Sequence, residues 1–174
     1  MKHDRQTPMD APEIFEPCSE TARAFRNALG RFATGVTVVT TASDEGPMGF
    51  TANSFASVSL DPPLVMWCPA RSSSRFDAYT SGKAFAIHVL REDQQAISNA
   101  FVKDHDAFDG LDWTTAADGT PLINDAIARF YCDAHAYHDG GDHVIAVGRV
   151  REVFTRPGAP LSFYSGAYGR FTQG

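Results

Sequence analysis

Cysteine is scarce: Cys18, Cys68 and Cys132 are the three in 174 residues, and no CxxC spacing occurs. An odd number at wide separations excludes a disulfide framework and points to reduced thiols. Positive charge is short too. Lys and Arg number 15 against 21 Asp and Glu, a formal net charge of -6. A chain without a basic face is not built to track the phosphates of a nucleic acid. No run approaches the roughly 20 apolar residues of a membrane span, and the first residues lack the apolar core of a secretory signal. The expectation is a soluble, cytoplasmic protein with neither a nucleic-acid nor a membrane partner.

Several chemical signatures are also missing. No GxGxxG opens a helix after a strand and no βαβ alternation runs along the chain, which disfavours a Rossmann domain. No Walker A loop, no GxSxG nucleophile turn and no spaced carboxylate pair for hydrolysis is present. If the protein is an enzyme, a cofactor supplies the reactivity.

What is present fits one domain with one sizeable core: 43% of residues are hydrophobic and 13 are Phe. Residues 1–19, rich in Pro, Asp and Glu, are expected to form a mobile arm, and 20–174 the folded domain. Ser19 is placed to cap a helix over Glu20 to Ala33, with Ala22, Phe25, Ala28, Leu29 and Phe32 facing inward and Gly35 as its stop. The pattern then turns β. GVTVVTTA (Gly35 to Ala42) is a buried strand, Ser43 to Pro47 a turn, and Met48 to Leu60 an extended stretch ended by Asp61-Pro62-Pro63. Further strands are predicted at Leu64 to Cys68, Ala84 to Leu90, Arg129 to His138, His143 to Phe154 and Leu161 to Phe171. Helical segments fall at Ser74 to Tyr79 and Glu92 to Phe101. Lys103 to Gly119 is irregular. Six or seven short strands with few helices predict a mainly β barrel or sandwich.

Three segments carry candidate chemistry. GFTANSFASVSL (Gly49 to Leu60) puts Thr, Asn, Ser and Ala where a core strand prefers Val, Ile and Leu. Small side chains let a flat ligand lie against the backbone while hydroxyls and amides bond its polar edge; an amphipathic edge strand facing water explains the same composition equally well. CPARSSSRF (Cys68 to Phe76) offers Ser72, Ser73 and Ser74 with Arg71 and Arg75 before a helical turn, a phosphate cradle or simply a polar loop. HDGGDHVIAVGRV (His138 to Val150) is a hairpin whose turn is Gly140-Gly141. Metal binding by His135, His138 and His143 is rejected, because His135 and His138 face opposite sides of one strand and no second cluster joins them. His88, inside an apolar strand, reads as a hydrogen-bonded core histidine.

Taken in order, the stretches FRNALGRFATGVTVVTT, GFTANSFASVSLDPPLVMWCP, the Ser-rich loop, ISNAF with FDGLDW, GGDHVIAVGRV and PLSFYSGAYGRF resemble the short-chain flavin reductases. These are the reductase components of two-component flavin-dependent monooxygenases, within the FMN-binding split-barrel group. The resemblance runs from about Phe25 to Phe171. It implies a six- to seven-stranded split β-barrel of Greek-key type with peripheral helices, and a homodimer with the site at its interface. It implies hydride transfer from NADH, with NADPH left open, to FMN or FAD, and delivery of reduced flavin to a partner monooxygenase. Thr51, Ala52, Asn53 and Ser54 would line the isoalloxazine and ribityl chain, with Ser57 and Val58 nearby. Ser72, Ser73 and Ser74 would reach the phosphate. Asn99, Phe101 and Lys103 would close over the phosphate or flavin tail. His143 would contact the nicotinamide dinucleotide as a positioning residue, away from the flavin segments, with Tyr168 and Arg170 completing that side. One position departs from the pattern: Ala107 stands where similar sequences carry Lys before the Phe of the FDG stretch. The alternatives are a non-enzymatic flavin-binding or sensing module on the same barrel, and a haem-binding relative, which needs an axial histidine.

Overall fold

The computed structural model describes residues 14–174. The expected arm over 1–19 therefore lies largely outside the described residues; 14–18 carry no regular structure. Helix α1 spans Ala22–Leu29, shorter than expected at both ends. Ser19 does not cap it. Thr21 stands at the cap position, but its hydroxyl accepts from the Cys18 N–H (2.8 Å) and donates to the Glu16 carbonyl (2.9 Å). The helix stops at Gly30, whose N–H returns to Arg26 O at 3.0 Å. Gly35 instead lies in a strand. No residue of α1 is buried. Its apolar side chains Phe25 and Leu29, and Phe32 beyond it, are 43%, 60% and 78% exposed. The inward packing expected of this face is not met within one chain, because a helical period shows that a stripe wants cover and not what covers it.

The remaining elements are β1 (Thr34–Gly35), β2 (Thr37–Ser43), β3 (Gly46–Ala52), β4 (Ala56–Leu60), β5 (Pro63–Trp67), α2 (Phe76–Ser81), β6 (Ala84–Val89), α3 (Gln95–Lys103), β7 (Trp113–Thr115), β8 (Pro121–Ile123), β9 (Ala128–Gly140), β10 (His143–Thr155), β11 (Leu161–Tyr164) and β12 (Ala167–Arg170). The short β7 and β8 fall where the sequence pattern shows no strand. Seven strands form one sheet in the order β3-β2-β6-β9-β10-β5-β4, and every pairing in it is antiparallel.

That order dictates a barrel. β3 and β4 stand at opposite ends of it. Laid flat, neighbours ~4.8 Å apart would put the outer strands roughly 29 Å from each other. Yet β3 ends at Ala52 and β4 begins at Ala56, a connection that reaches at most ~14 Å. The sheet must curl until its ends approach, leaving a split where β3 and β4 do not pair. Inside lie Val39, Met48, Trp67, Phe85, Ile87, Cys132 and Ala146, with Trp67 edge-on to Tyr79 at 4.9 Å.

A second apolar cluster covers the outer face of β2 and β6: Val36, Val38, Leu90, Phe101, Phe108, Ile123 and Leu161. β2 is thus buried on both faces over Thr37 to Thr41, which is why its sequence is a continuous β-branched run and not an alternation. β1 joins β11 and β12 in a separate three-stranded sheet. The Ser165-Gly166 turn between β11 and β12 has φ of 47° and 83°, and the Ser165 N–H bonds Gly30 O at 2.9 Å, tying this sheet to the end of α1.

His88 sits in the wall between the two clusters and is fully buried. Its Nδ1 lies 3.0 Å from Val38 O and its Nε2 accepts the Ile123 N–H at 3.0 Å. That pairing puts the proton on Nδ1 of a neutral ring. Burial pushes its pKa down from 6.5 to about 3. Between those values the unfolded chain binds a proton that the folded one refuses, so stability falls as pH falls below 6.5. The loss from this group at pH 5 is about 2 kcal/mol. Urea unfolding of wild type and His88→Gln at pH 7 and pH 5 checks this: the wild type should lose that much more than the variant. Equal losses would show that His88 does not set the slope.

Candidate functional site

The connection that closes the barrel, residues 53–55, also begins the site. At the end of β3 the Thr51 hydroxyl donates to Ser98 O on α3 at 2.8 Å. Ala52 is buried and its carbonyl accepts the Thr37 hydroxyl at 2.7 Å. Ser54 Oγ accepts the Cys68 N–H at 2.9 Å. Asn53 between them is exposed, and its amide has no hydrogen-bond partner among the described residues. Three of the four residues therefore fix the backbone and one presents a free amide. Ser57 and Val58 follow on β4, both exposed, with Val58 left over by a shift in the β4–β5 register.

The Ser54 bond leads to the loop from Cys68 to Arg75. The Ser73 N–H returns to Ala70 O at 3.0 Å, and Ser73 Oγ accepts the Arg75 N–H at 3.2 Å. Ser73 thus shapes the loop. The hydroxyls and N–H groups of Ser72 and Ser74 make no bonds within the described chain, and both residues are exposed. Helix α2, which follows, has six residues, too short for a strong macrodipole. The donors on offer are the loop's own.

The two arginines flanking the serines behave differently. Arg71 is spent on Asp139 at 2.6 Å. Among the described residues Arg75 meets no carboxylate: its Nη1 donates to the carbonyls of Phe101 (2.9 Å) and Gly49 (3.4 Å), and its guanidinium lies 5.8 Å from the centroid of the Phe50 ring. Sequence position alone gives both arginines equal weight; only the partners separate them.

Arg75 also draws in α3. The Phe101 ring lies over Gly49, where a Cβ would stand 2.3 Å from its edge. Phe101 is fully buried and edge-on to Phe108 at 5.0 Å. The ring is packed as core, whereas the resemblance implies a residue that closes over the phosphate or flavin tail. Asn99 and Lys103 on the same helix are exposed.

Two cavities meet at Asn53 and Phe163. The smaller, about 180 Å³, is also lined by Val36, Thr51, Ala52 and Tyr168. Tyr168 is held by its hydroxyl, 2.8 Å from Ser98 Oγ. The larger, a half-open cleft of about 700 Å³, includes Arg26, Arg31, Phe32 and Thr34, and is of a size that takes organic cofactors. The Thr34 Oγ1 there is buried with no partner. These residues carry no signal in the sequence, because α1 and the β1–β11 pairing only meet in three dimensions. Arg170, expected beside Tyr168, lies 3.6 Å from Glu92 and lines neither cavity.

His143 opens β10 at the hairpin tip, with Nδ1 2.8 Å from Asp142 Oδ1, and is 43% exposed. Expected to lie away from both flavin segments, it lies beside the start of the serine loop. His143 bridges to Ala70, and the Val144 N–H donates to Pro69 O at 3.0 Å. The hairpin folds back onto the start of the serine loop.

A model of the flavin reductase like domain matches residues 29–172. The chain is 53% identical over 165 residues to an FMN reductase (NADH) of Agrobacterium fabrum, covering 95% of each. It is 43% identical over 160 residues to the reductase subunit of a flavin-dependent monooxygenase from Rhodococcus jostii, covering 91% of this chain and 80% of that one. Among solved structures, the NADH:FAD oxidoreductase of Streptomyces globisporus in complex with NAD and FAD fragments superposes with a TM-score of 0.85 at 38% identity, covering 92% of this chain and 98% of that one. No helix among the described residues is long and apolar enough to cross a membrane.

Proposed function

This chain belongs to the flavin reductase like family, and on that footing we propose that the serine loop, the end of β3 and the hairpin tip hold a flavin and a reduced nicotinamide dinucleotide side by side. The protein is an NADH-dependent flavin reductase that uses FMN or FAD and supplies the reduced flavin to a monooxygenase. Its relatives carry the names of reductases and lend nothing to a purely sensory role.

The observation that carries the site assignment is the donor set around Arg75. The hydroxyls and N–H groups of Ser72 and Ser74 have no partner among the described residues, and Arg75, next along the loop, meets no carboxylate among them, a donor set that suits a phosphate. The Ser54–Cys68 bond joins that cradle to Asn53, whose free amide suits the polar edge of a flat ring system. Thr34, whose buried hydroxyl has no partner among the described residues, lines a cleft that opens at the same Asn53. Bound flavin supplies the hydride-accepting ring; no protein acid or base is needed for that transfer. The work of the chain is to place two rings. Asn53 and the backbone of Thr51 to Ser54 orient the flavin, and Ser72, Ser74 and Arg75 anchor its phosphate. His143 and Tyr168 border the dinucleotide.

A second copy of the chain completes the reading. The open apolar stripe of Phe25, Leu29 and Phe32 needs cover, and Phe32 also lines the cleft at Asn53. A homodimer built on α1 buries the stripe and roofs the cleft together. The test is NADH oxidation with FMN, FAD or riboflavin added singly, alongside light scattering. Flavin-dependent oxidation by a dimer is expected. No oxidation with any flavin would end the enzyme assignment, and a fully active monomer would end the shared site.

A further inference from the structure

We propose that Arg71 is a positioning residue that latches the hairpin carrying His143 to the loop carrying Ser72 and Ser74, so that the dinucleotide side and the flavin phosphate side of the site are set together. This rests on the flavin reductase reading above. Arg71 makes three hydrogen bonds to the hairpin, and its guanidinium lies 5.8 Å from the centroid of the Phe76 ring. Its N–H donates to Asp142 O at 2.9 Å. Its Nε donates to Gly141 O at 3.1 Å and its Nη2 to Asp139 Oδ1 at 2.6 Å. Asp142 is the residue whose carboxylate holds the His143 ring at 2.8 Å.

The geometry makes Arg71 a clamp on the whole turn. Asp139 lies before the Gly140-Gly141 pair and Asp142 after it, so one side chain and one N–H grip both arms. Gly141 has φ of 76° and open space where a side chain would stand, so no side chain at the tip of the turn packs it onto the loop. On the other side, Arg71 is followed at once by Ser72, and the Ser73 N–H is tied back to Ala70. Any shift of the turn is therefore passed to the serines within two residues. Arg71 and Asp139 are 44% and 81% exposed, so the latch is a local device at the rim and not a buried pair that holds up the fold.

The test uses the full chain as wild type, R71A, R71K and D139N. Kd for FMN and riboflavin is measured by fluorescence titration, KM for NADH and kcat by steady-state kinetics, and Tm by melting. R71A should raise KM for NADH and Kd for FMN together, each by roughly five- to thirtyfold, with riboflavin less affected and kcat within about threefold. D139N should move both constants the same way by a smaller factor, and R71K should recover part of the loss. If Arg71 instead bound the phosphate directly, D139N would release its charge and tighten FMN while leaving KM for NADH alone. That result overturns the proposal, as does a change in only one of the two constants, or a fall in Tm with neither moved. D139N alters an exposed side chain and decides the matter even if R71A fails to fold. Wild type that binds FMN without oxidising NADH would strike the reductase reading, while the FMN titrations still report on the latch.

Discussion

Replacing Ser72 and Ser74 together by alanine is expected to weaken FMN binding by a hundredfold or more and to leave riboflavin binding within a few-fold. Both hydroxyls lack partners in the folded chain, so their removal breaks nothing internal. A hydrogen bond to a charged group contributes about 1.5–3 kcal/mol. Two such bonds come to roughly 3–6 kcal/mol, and the exposure of the loop favours the lower end, about a hundredfold in affinity. Ser73 is left in place because its hydroxyl and carbonyl order the loop itself, the carbonyl accepting the Phe76 N–H at 3.0 Å. Riboflavin lacks the phosphate and serves as the internal control. Titration of both ligands into both proteins checks the expectation, and equal weakening of the two would show that this segment only shapes the barrel.

The serines illustrate what the sequence makes legible. Short polar residues between a strand and a helical turn are visible as a pattern, as are the β-branched run of β2 and the Pro62-Pro63 boundary. These are local features, and local physics decides them. What stays hidden depends on pairing. Arg71 and Arg75 are four positions apart and chemically alike, yet one is neutralised by Asp139 and the other is not. His143 is remote from Ala70 along the chain, but β10 pairs with β5, and that register brings the two side by side. The exposed stripe on α1 shows the same limit from the other direction. Its period is legible, while its cover belongs to another surface. The cleft residues Arg26, Arg31 and Thr34 come together only when the β11–β12 turn docks on Gly30.

The resemblance implies that Phe101 closes over the flavin tail, whereas its ring is packed in the core, and Phe101→Ala separates the two roles. The ring is fully buried between Gly49 of β3 and Phe108, so its loss removes a large apolar side chain and leaves a hole that α3 cannot readily close. Truncations of this kind cost about 3–5 kcal/mol. For a domain of this size each kcal/mol lowers Tm by about 2–4 °C, so a fall of at least 6 °C is expected, with the corresponding shift in the denaturant midpoint. Flavin affinity should suffer less. The group that touches the site is the Phe101 carbonyl, which holds Arg75 at 2.9 Å, and alanine keeps it. Loosening that one bond accounts for roughly 1 kcal/mol, or about fivefold in Kd for FMN. The reverse pattern, an unchanged melting curve with FMN binding lost, would return Phe101 to the role of a lid over the flavin. Leucine at the same position discriminates further. It refills most of the space against Gly49, so Phe101→Leu should regain much of the stability if packing is what the ring provides. If the aromatic face itself lay on the ligand, leucine would recover the fold and still leave FMN binding weak.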